Sequence, residues 1–207
     1  PQPLLDALDL ACAEDVVAPI SLPSFDNSAM DGYAVVADDV ATATPERPVL
    51  LPVAEDIPAG RTDPLTLKAG TAHRIMTGAP MPDGADAVVR FEETDAATAP
   101  MGSGQSFVRV YRPTRPLDNV RAAGEGILAG TIVGRKGRML GPADLGLLAS
   151  VGRAMVPVHR RPVVAVLSTG DEVVMPDQEL VAGKIRDSNA FVLGALARHW
   201  INAGQAG

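Results

Sequence analysis

The sequence predicts a mixed α and β protein with several domains: an elongated α+β domain, a small β-rich domain inserted into it, and the start of a truncated α/β domain. Three observations predict this class. Apolar residues at helical spacing stand near the N-terminus, short apolar runs alternate with turn residues in the middle, and a continuous apolar run precedes a final helical pattern. The predicted boundaries are 1–24 with 131–161 for the elongated outer domain, 25–130 for the insert and 162–207 for the incomplete α/β domain.

The outer domain is predicted from two segments that are far apart in the sequence. Leu4 to Val17 has apolar residues at helical spacing and is followed by two prolines, which predicts a helix over these residues. Residues 131–136 and 154–158 are predicted strands. Between them, Gly141-Pro142 followed by spaced leucines predicts a short helix that ends at Gly152.

The insert is predicted from short apolar runs that are separated by turn residues. Eighteen prolines and twenty glycines imply many turns along the chain. The apolar runs predict the strands of a small antiparallel β domain: Tyr33–Ala37, Val49–Val53, Ala72–Met76, Ala87–Phe91 and Phe107–Tyr111. Residues 94–106 are rich in Ala, Thr, Gly and Ser and are predicted to form an exposed loop.

The α/β domain is predicted from a change of pattern after residue 161. Val163 to Leu167 is a continuous apolar run, which is typical of a strand buried on both faces of a parallel sheet. A loop over 168–184 follows, and then a helix from about Asn189 to Ile201 with Asp187 or Ser188 as its N-cap. Because one strand and one helix cannot bury their own faces, we expect more chain to complete this domain.

Composition excludes several classes of function. The net charge of −7 and the diffuse placement of the basic residues argue against a nucleic-acid partner. The apolar stretches are too short to span a membrane. Cys12 is the single cysteine, so no internal disulfide can form, and this suits a reducing, cytoplasmic environment. The three histidines lack the spacing of a metal site.

The first of three polar loops covers residues 25–34. It places two carboxylates, an amide and a hydroxyl within six residues, from Asp26, Asn27, Ser28 and Asp31. Such groups are costly to desolvate without partners, and their oxygens could bind a hard cation or accept protons. The same residue types also form ordinary turns, so composition alone leaves both interpretations open.

The second loop, residues 74–86, joins a predicted strand to a rigid proline turn. This arrangement would direct the Thr77 hydroxyl and nearby backbone amides toward an oxyanion. An ordinary connection between two strands would show the same residues.

The third loop directly follows the apolar run of the α/β domain, where ligands bind in open α/β sheets. Its hydroxyls and flexible glycine suit an oxyanion, and its two carboxylates suit a metal ion or a proton transfer. Ser188 opens the next helix and is a further candidate for binding an anion. A polar loop with a standard helix cap is the alternative. The candidate residues of the loop are Ser168, Thr169, Gly170, Asp171 and Glu172.

At these loops the chain resembles a known family. The segments SFDNSAMDGYAV, RIMTGAPMPDGADAVV, NVRAAGEGI, VVAVLSTGDEVV and GKIRDSN stand in the order found in the molybdopterin molybdenumtransferase family. That family includes bacterial molybdenum-insertion enzymes and the E domain of gephyrin. The resemblance covers nearly the whole chain, which is similar to the N-terminal part of the family.

The resemblance implies a function in molybdenum cofactor biosynthesis. Family members form elongated homodimers, take molybdate and adenylylated molybdopterin as substrates, use Mg²⁺ and release AMP. Carried over by position, Asp31, Thr77 and Glu172 fall where the family has catalytic residues, with Asp31 and Glu172 as Mg²⁺ ligands. Residues 168–171 and Ser188 are then expected to bind substrate, and Asp26 is a supporting carboxylate.

The chain departs from the family in residues 121–126. The family commonly has an Arg-rich run followed by Gly-Glu-Asp, whereas here Gly126 stands in place of the expected functional aspartate. Ala122 and Ala123 replace two basic residues, and strand alternation predicts that Glu125 points to the other side. Weakened activity, a changed task and compensation by other residues all remain open.

The family's later motifs, a Ser-Gly-Gly-rich stretch and two Gly- and Pro-rich loops, are absent from these 207 residues. We therefore expect that this chain alone does not catalyse the reaction. The alternatives to an enzyme are a scaffold or interaction protein and a molybdopterin-binding module without transfer activity. The sequence does not distinguish molybdenum from tungsten, since the two oxyanions are nearly equal in size and charge.

Overall fold

The structure is a computed structural model, and it describes residues 1–98 and 106–203. Within these residues, two α-helices, thirteen strands and four 3-10 turns form the regular structure. In chain order the strands and helices are β1 Gln2–Pro3, β2 Val16–Val17, β3 Asn27–Ser28, β4 Gly32–Val35, β5 Val49–Ile57, β6 Ala72–Ile75, β7 Ala87–Arg90, β8 Phe107–Val110, β9 Val120–Arg121, β10 Ile132–Gly134, α1 Pro142–Ser150, β11 Met155–Val156, β12 Val173–Val174, β13 Ile185–Arg186 and α2 Asn189–Ala203. The predicted mixed α and β class is confirmed, with strands in the majority of the elements.

The chain divides into two compact units. One consists of Pro1–Val17 together with Ile132–Gly207, and the other is Ala18–Thr131. We call them the terminal unit and the sheet unit. The finer layout of an outer domain, an insert and an α/β domain stays a prediction.

A five-stranded sheet organises the sheet unit. Its strand order is β7-β4-β6-β5-β8, so β4 is paired on both sides. All five predicted strands are confirmed within two or three residues, except that β5 extends to Ile57. The prediction of a purely antiparallel domain is wrong, because β5 and β6 pair in parallel. The long connection between these two strands gives the chain room to cross over, which a tight hairpin does not.

The sheet is covered on both faces. Tyr33 and Val35 of β4 belong to one buried cluster, while Ala34 between them belongs to a second cluster with Ile75 and Val88. Successive side chains of a strand point to opposite faces, so β4 contributes to both cores. Burial on both faces explains why β4 and β7 lie in largely apolar runs of the sequence.

Two buried positions of this sheet are unusual: one has no space for a side chain, and the other holds a polar side chain. A Cβ atom added to Gly32 would overlap the carbonyl oxygen of Val89, because β4 and β7 approach closely there. His73 on β6 is only 3% exposed, and its Nδ1 has no hydrogen-bond partner among the described residues. Burial lowers the pKa of His73 below its usual value of 6.5, with Glu55 opposing this shift and Arg61 adding to it.

The terminal unit departs most from the sequence prediction. The helix predicted over residues 4–17 is wrong: the chain forms one 3-10 turn at Leu5–Ala7, and Asp9 has a positive φ of 58°. Beyond that turn, Ala11 and Cys12 bridge to Met139 and Val158. Backbone pairing with distant residues has replaced the local helix that the apolar spacing favours.

The short helix and the two strands predicted for this unit are confirmed. The helix α1 begins after Gly141, whose backbone N–H donates to the Asp144 carboxylate at 2.9 Å. The same carboxylate accepts a hydrogen bond from Arg138 Nε at 3.1 Å. Strand β10 pairs with β2, and β11 pairs with β1.

The apolar run Val163–Leu167 does not form the predicted strand. Residues 162–170 have no regular structure, and Val163 is 97% exposed. A strand exists only through hydrogen bonds to a neighbour, and no described strand pairs with this run. The final helix α2 is confirmed at Asn189–Ala203. Within the described residues, no helix has the length and apolarity needed to span a membrane.

Replacing Gly32 with Ala should lower the free energy of unfolding by about 3 kcal/mol or more, since a methyl group would displace the β7 backbone. Urea denaturation measures the change. Gly146→Ala in α1 is the matched control, because nothing lies within 4 Å of its added Cβ, and helix propensity predicts a gain of about 1 kcal/mol. Equal effects of the two substitutions would contradict the close approach of β4 and β7.

His73 should make stability depend on pH. Its folded pKa is depressed, so the unfolded chain binds the extra proton first, and stability falls as the pH drops below about 6.5 by at most about 1.4 kcal/mol per pH unit. Urea denaturation between pH 7.5 and 5 measures this slope. His73→Leu should remove the slope, while His159→Leu at an exposed position should leave it. A slope that survives His73→Leu would assign the effect to other groups.

Candidate functional site

Asp31 and Thr77 are brought together in the sheet unit. The carboxylate oxygen Asp31 Oδ1 accepts two hydrogen bonds from Thr77, from its backbone N–H and from its hydroxyl, each at 2.7 Å. Asp31 directly precedes β4, and Thr77 follows β6 by two residues. Because Gly32 pairs with Ile75 in these neighbouring strands, the two residues meet at one end of the sheet.

This contact sets the charge state of Asp31. The pKa of Asp31 lies below its usual value of 3.8, chiefly because the Thr77 backbone N–H stabilises the carboxylate, followed by the Thr77 hydroxyl. Partial burial raises the pKa, and the charge of Arg74 lowers it. Arg74 is held with its guanidinium carbon 5.4 Å from the ring centroid of Phe91. Asp31 is therefore an exposed carboxylate whose ionised form is favoured and whose orientation is fixed by Thr77.

The hydroxyl of Thr77 is engaged with Asp31. A threonine hydroxyl has a single proton, and here that proton is donated to Asp31. In this geometry the proton is not directed at a substrate oxyanion. Thr77 thus orients Asp31, and its catalytic role stays a prediction.

Asp26 joins three segments around this pair. Its carboxylate accepts a hydrogen bond from Ala123 N at 2.7 Å, and its backbone carbonyl accepts one from Met81 N at 2.9 Å. Ser28 N–H donates to the carbonyl of Ala79, in the segment after Thr77. The first and second polar loops are thus tied to each other and to residues 121–126 by backbone hydrogen bonds.

The segment that departs from the family pattern is a turn after strand β9. The prediction that Glu125 points away by strand alternation is wrong, because residues 122–126 are not extended. Glu125 Oε2 instead accepts a hydrogen bond from Ala122 N at 3.1 Å. At Gly126, an added Cβ would lie 3.2 Å from the carbonyl oxygen of Leu22, so a side chain at this position requires a small shift.

A pocket of about 270 Å³ also lies in the sheet unit. It is lined by residues 61–65, by Phe25 and Ile57, and by the proline turn 80–82 of the second loop. Its guanidinium group, from Arg61, forms ion pairs with Asp63 at 2.8 Å and Glu55 at 3.3 Å. With that charge neutralised, the pocket is mainly apolar and is not suited to an anion.

The third loop is organised by the chain that follows it. Strand β13 pairs in parallel with β12, so residues 185–187 run alongside the end of the loop. Ser168 Oγ donates to Asp187 Oδ1 at 2.9 Å, and Lys184 Nζ donates to the carbonyl of Asp171. Asp187 Oδ1 also accepts a hydrogen bond from Ala190 N at 2.9 Å and so caps α2, as predicted for either Asp187 or Ser188.

Glu172 folds back over its own loop. A Cβ atom on Gly170 would come within 2.7 to 2.9 Å of the Glu172 carboxylate. Gly170 also has a φ of +147°, which side chains rarely adopt. The glycine is therefore needed both for the backbone conformation and for the position of Glu172. Thr169 and Ser188 are exposed.

Metal ligation is limited in both units. Across residues 1–98 and 106–203, no group of three or more His, Cys, Asp or Glu side chains could hold a metal ion. Asp31 and Glu172 belong to different units, and each offers an exposed carboxylate. Mg²⁺ commonly binds through one or two carboxylates, its own waters and substrate phosphates, so a protein cluster of three ligands is not required.

Sequence reasoning missed the residues that hold these loops. Asp187 was expected only as a helix cap and Lys184 was not singled out, although both stand in the GKIRDSN motif. A charged residue that is 8% exposed, as Asp187 is, needs a partner, but burial is not visible in one sequence.

Comparison with known proteins gives a consistent relationship. A family model described as "MoeA N-terminal region (domain I and II)" matches residues 2–152. The molybdopterin molybdenumtransferase 2 of Mycobacterium tuberculosis is 51% identical over 196 residues, covering 95% of this chain and 47% of that protein. The molybdopterin molybdenumtransferase of Bacillus subtilis is 42% identical over 194 residues, covering 94% of this chain and 44% of that protein.

Solved structures show the same fold. The crystal structure of a molybdopterin biosynthesis MoeA protein from Pyrococcus horikoshii OT3 matches with a TM-score of 0.82 and 34% identity, over 97% of this chain and 52% of that one. The chain spans about half the length of the curated relatives that it matches.

Thr77→Val should raise the pKa of Asp31 toward its usual value, because it removes the hydroxyl donor and leaves the backbone N–H. Thr77→Ser should keep the lowered pKa, since it retains both donors. Carboxyl-carbon NMR titration of Asp31 measures the shift. If Val and Ser gave the same pKa, the hydroxyl contact would have no effect on the carboxylate.

Proposed function

Because the chain belongs to the MoeA family, we propose that the complete protein inserts molybdate-derived molybdenum into adenylylated molybdopterin and releases AMP. The family match covers residues 2–152, which include both loops that carry Asp31 and Thr77. The relatives named molybdopterin molybdenumtransferase align with more than nine-tenths of the chain. The protein would then be a transferase of molybdenum cofactor biosynthesis.

The observation that carries this proposal is the state of Asp31. Two hydrogen bonds and a nearby guanidinium keep its carboxylate ionised and oriented, although it is exposed. A surface aspartate in an ordinary turn needs no such support. Fixing a charged group before the substrate arrives is how protein sites avoid reorganisation during a reaction.

Mg²⁺ fits the chemistry of the two exposed carboxylates. Molybdate and the phosphates of the pterin are anions, so a carboxylate at the reaction site repels them unless a cation lies between. We propose that Asp31 and Glu172 are each a Mg²⁺ ligand, with waters and substrate oxygens as further ligands. When bound, the ion supplies charge neutralisation for the anionic substrates.

The third loop is proposed to bind substrate. Ser168, Thr169 and Gly170 are exposed, and the loop is held from behind by Asp187 and Lys184. Ser188 at the start of α2 lies on the same segment. A rigid, polar and accessible loop is suited to orienting a small polar ligand. The homodimer expected from the resemblance and the cytoplasmic location expected from the single cysteine remain part of the proposal.

A second function is favoured by one observation. Gly126 stands where the family is expected to have a functional aspartate, and Ala122 and Ala123 stand where it has basic residues. In the structure, the backbone N–H groups of Ala122 and Ala123 donate hydrogen bonds to the carboxylates of Glu125 and Asp26, respectively. A molybdopterin-binding or scaffold protein of the same fold would show these losses. Pterin binding without molybdate-dependent AMP release in the wild-type protein would identify it.

Asp31→Asn should lower turnover about 100-fold or more, because the reaction loses a carboxylate that contacts metal or substrate. The fold should be retained, since the Asn carbonyl oxygen can accept both hydrogen bonds from Thr77. Molybdate-dependent release of AMP by the complete protein measures the effect.

The control for this substitution is Asp38→Asn, an exposed carboxylate in the same unit. It should leave turnover unchanged. Normal turnover by Asp31→Asn beside an active wild-type protein would remove Asp31 from the reaction, whereas an inactive wild-type protein would speak against the transferase itself.

A further inference from the structure

The segment after the third loop contains a buried carboxylate with two hydrogen-bond donors. Asp187 is 8% exposed, and its Oδ1 accepts from the Ser168 hydroxyl and from the Ala190 backbone N–H, each at 2.9 Å. One oxygen atom therefore connects the first residue of the loop to the first turn of α2. Removing either donor leaves the other contact in place.

Backbone pairing holds Asp187 itself. Its N–H donates to the carbonyl of Val174 at 2.8 Å, and Ile185 N–H donates to the carbonyl of Glu172 at 2.8 Å. Lys184 Nζ donates to the carbonyl of Asp171. These three contacts are directed at residues 171–174, so the segment fixes the loop as well as starting a helix.

The contact also decides which kind of hydrogen bond Ser168 can make with a ligand. A serine hydroxyl has one proton and two lone pairs. Since Asp187 takes the proton, the exposed Ser168 oxygen meets a ligand only as an acceptor. An oxyanion such as molybdate or phosphate has no hydrogen to donate, and the nearby Asp187 charge repels it. An amino group or ring N–H provides the missing donor.

We propose that Asp187 is a positioning residue that fixes Ser168 as a hydrogen-bond acceptor for an N–H donor of the substrate's pterin ring. The inference rests on the proposed function and changes the role of Ser168 from anion binding to recognition of the neutral ring. Lys184 also helps to fix the loop, because its Nζ donates to the backbone carbonyl of Asp171.

The test uses the complete protein with two probes, molybdopterin and molybdate alone, in equilibrium binding measurements. Asp187→Ala and Ser168→Ala should each weaken molybdopterin binding about tenfold, the effect of losing one hydrogen bond to a charged or oriented group. The double variant should bind no more weakly than Asp187→Ala, because the two residues act as one unit. Molybdate binding should not change.

Conservative and control variants separate positioning from general stability. Asp187→Asn should bind molybdopterin within about twofold of wild type, since its carbonyl oxygen can accept from both Ser168 and Ala190. Asp177→Ala removes an exposed carboxylate from the same unit and should have no effect. Amide hydrogen exchange at residues 169–172 should be faster in Asp187→Ala and unchanged in Asp177→Ala.

Three results would overturn the proposal. Additive losses in the double variant would mean that the two residues act separately. Equal weakening of both probes would mean that the loop binds anions. Unchanged hydrogen exchange in Asp187→Ala would mean that Asp187 does not hold the loop. Failure of the proposed function has its own signature, because the wild-type protein would then bind no molybdopterin while the exchange experiment still reports on Asp187.

Discussion

The antiparallel pairing of β4 with β6 is the interaction on which the candidate site depends. Asp31 and Thr77 are 46 residues apart, and neither would have a fixed neighbour without this register. The register is protected by Gly32, since any side chain there would push β4 away from β7 on its other flank. The site is thus positioned by the pairing of two inner strands of the sheet, and the loops contribute only the one or two residues next to each strand. A site placed in this way changes little when its surface residues change.

Patterns within short segments of the sequence correctly predicted the strands and helices that depend mainly on local interactions. The strands of the sheet unit follow from short runs such as Ala87–Phe91, because both faces of the sheet carry buried residues and each run is largely apolar. The helices α1 and α2 follow from proline, capping residues and apolar spacing. Asp31 and Thr77 were found through the resemblance of their loops to a family, and the structure adds the contact between them. Composition alone had left both loops open to an ordinary turn.

Non-local pairing accounts for the errors. Residues 4–17 carry helical spacing, yet Ala11 and Cys12 bridge to Met139 and Val158, more than a hundred residues later. The parallel pairing of β5 with β6 depends on a crossover connection, and the turn residues of the sequence do not indicate which way the chain crosses. The run Val163–Leu167 has the composition of a buried strand, but composition describes what a strand would need, and a neighbour must supply the hydrogen bonds. Each error concerns a partner that the segment's own residues do not specify.

Thr77 and Ser168, whose hydroxyls were predicted from the sequence to bind an oxyanion, share one arrangement. Thr77 donates its proton to Asp31, and Ser168 donates its proton to Asp187, so in both loops a hydroxyl orients a carboxylate or is oriented by one. A hydroxyl that donates its single proton to a carboxylate cannot also donate a hydrogen bond to an anionic substrate. In the turn 121–126 the backbone amides of Ala122 and Ala123 are likewise hydrogen-bonded to carboxylates. The hydrogen bonds of the described loops therefore fix carboxylates and hydrogen-bond acceptors, so under the proposed function the oxyanion requires a metal ion or basic side chains.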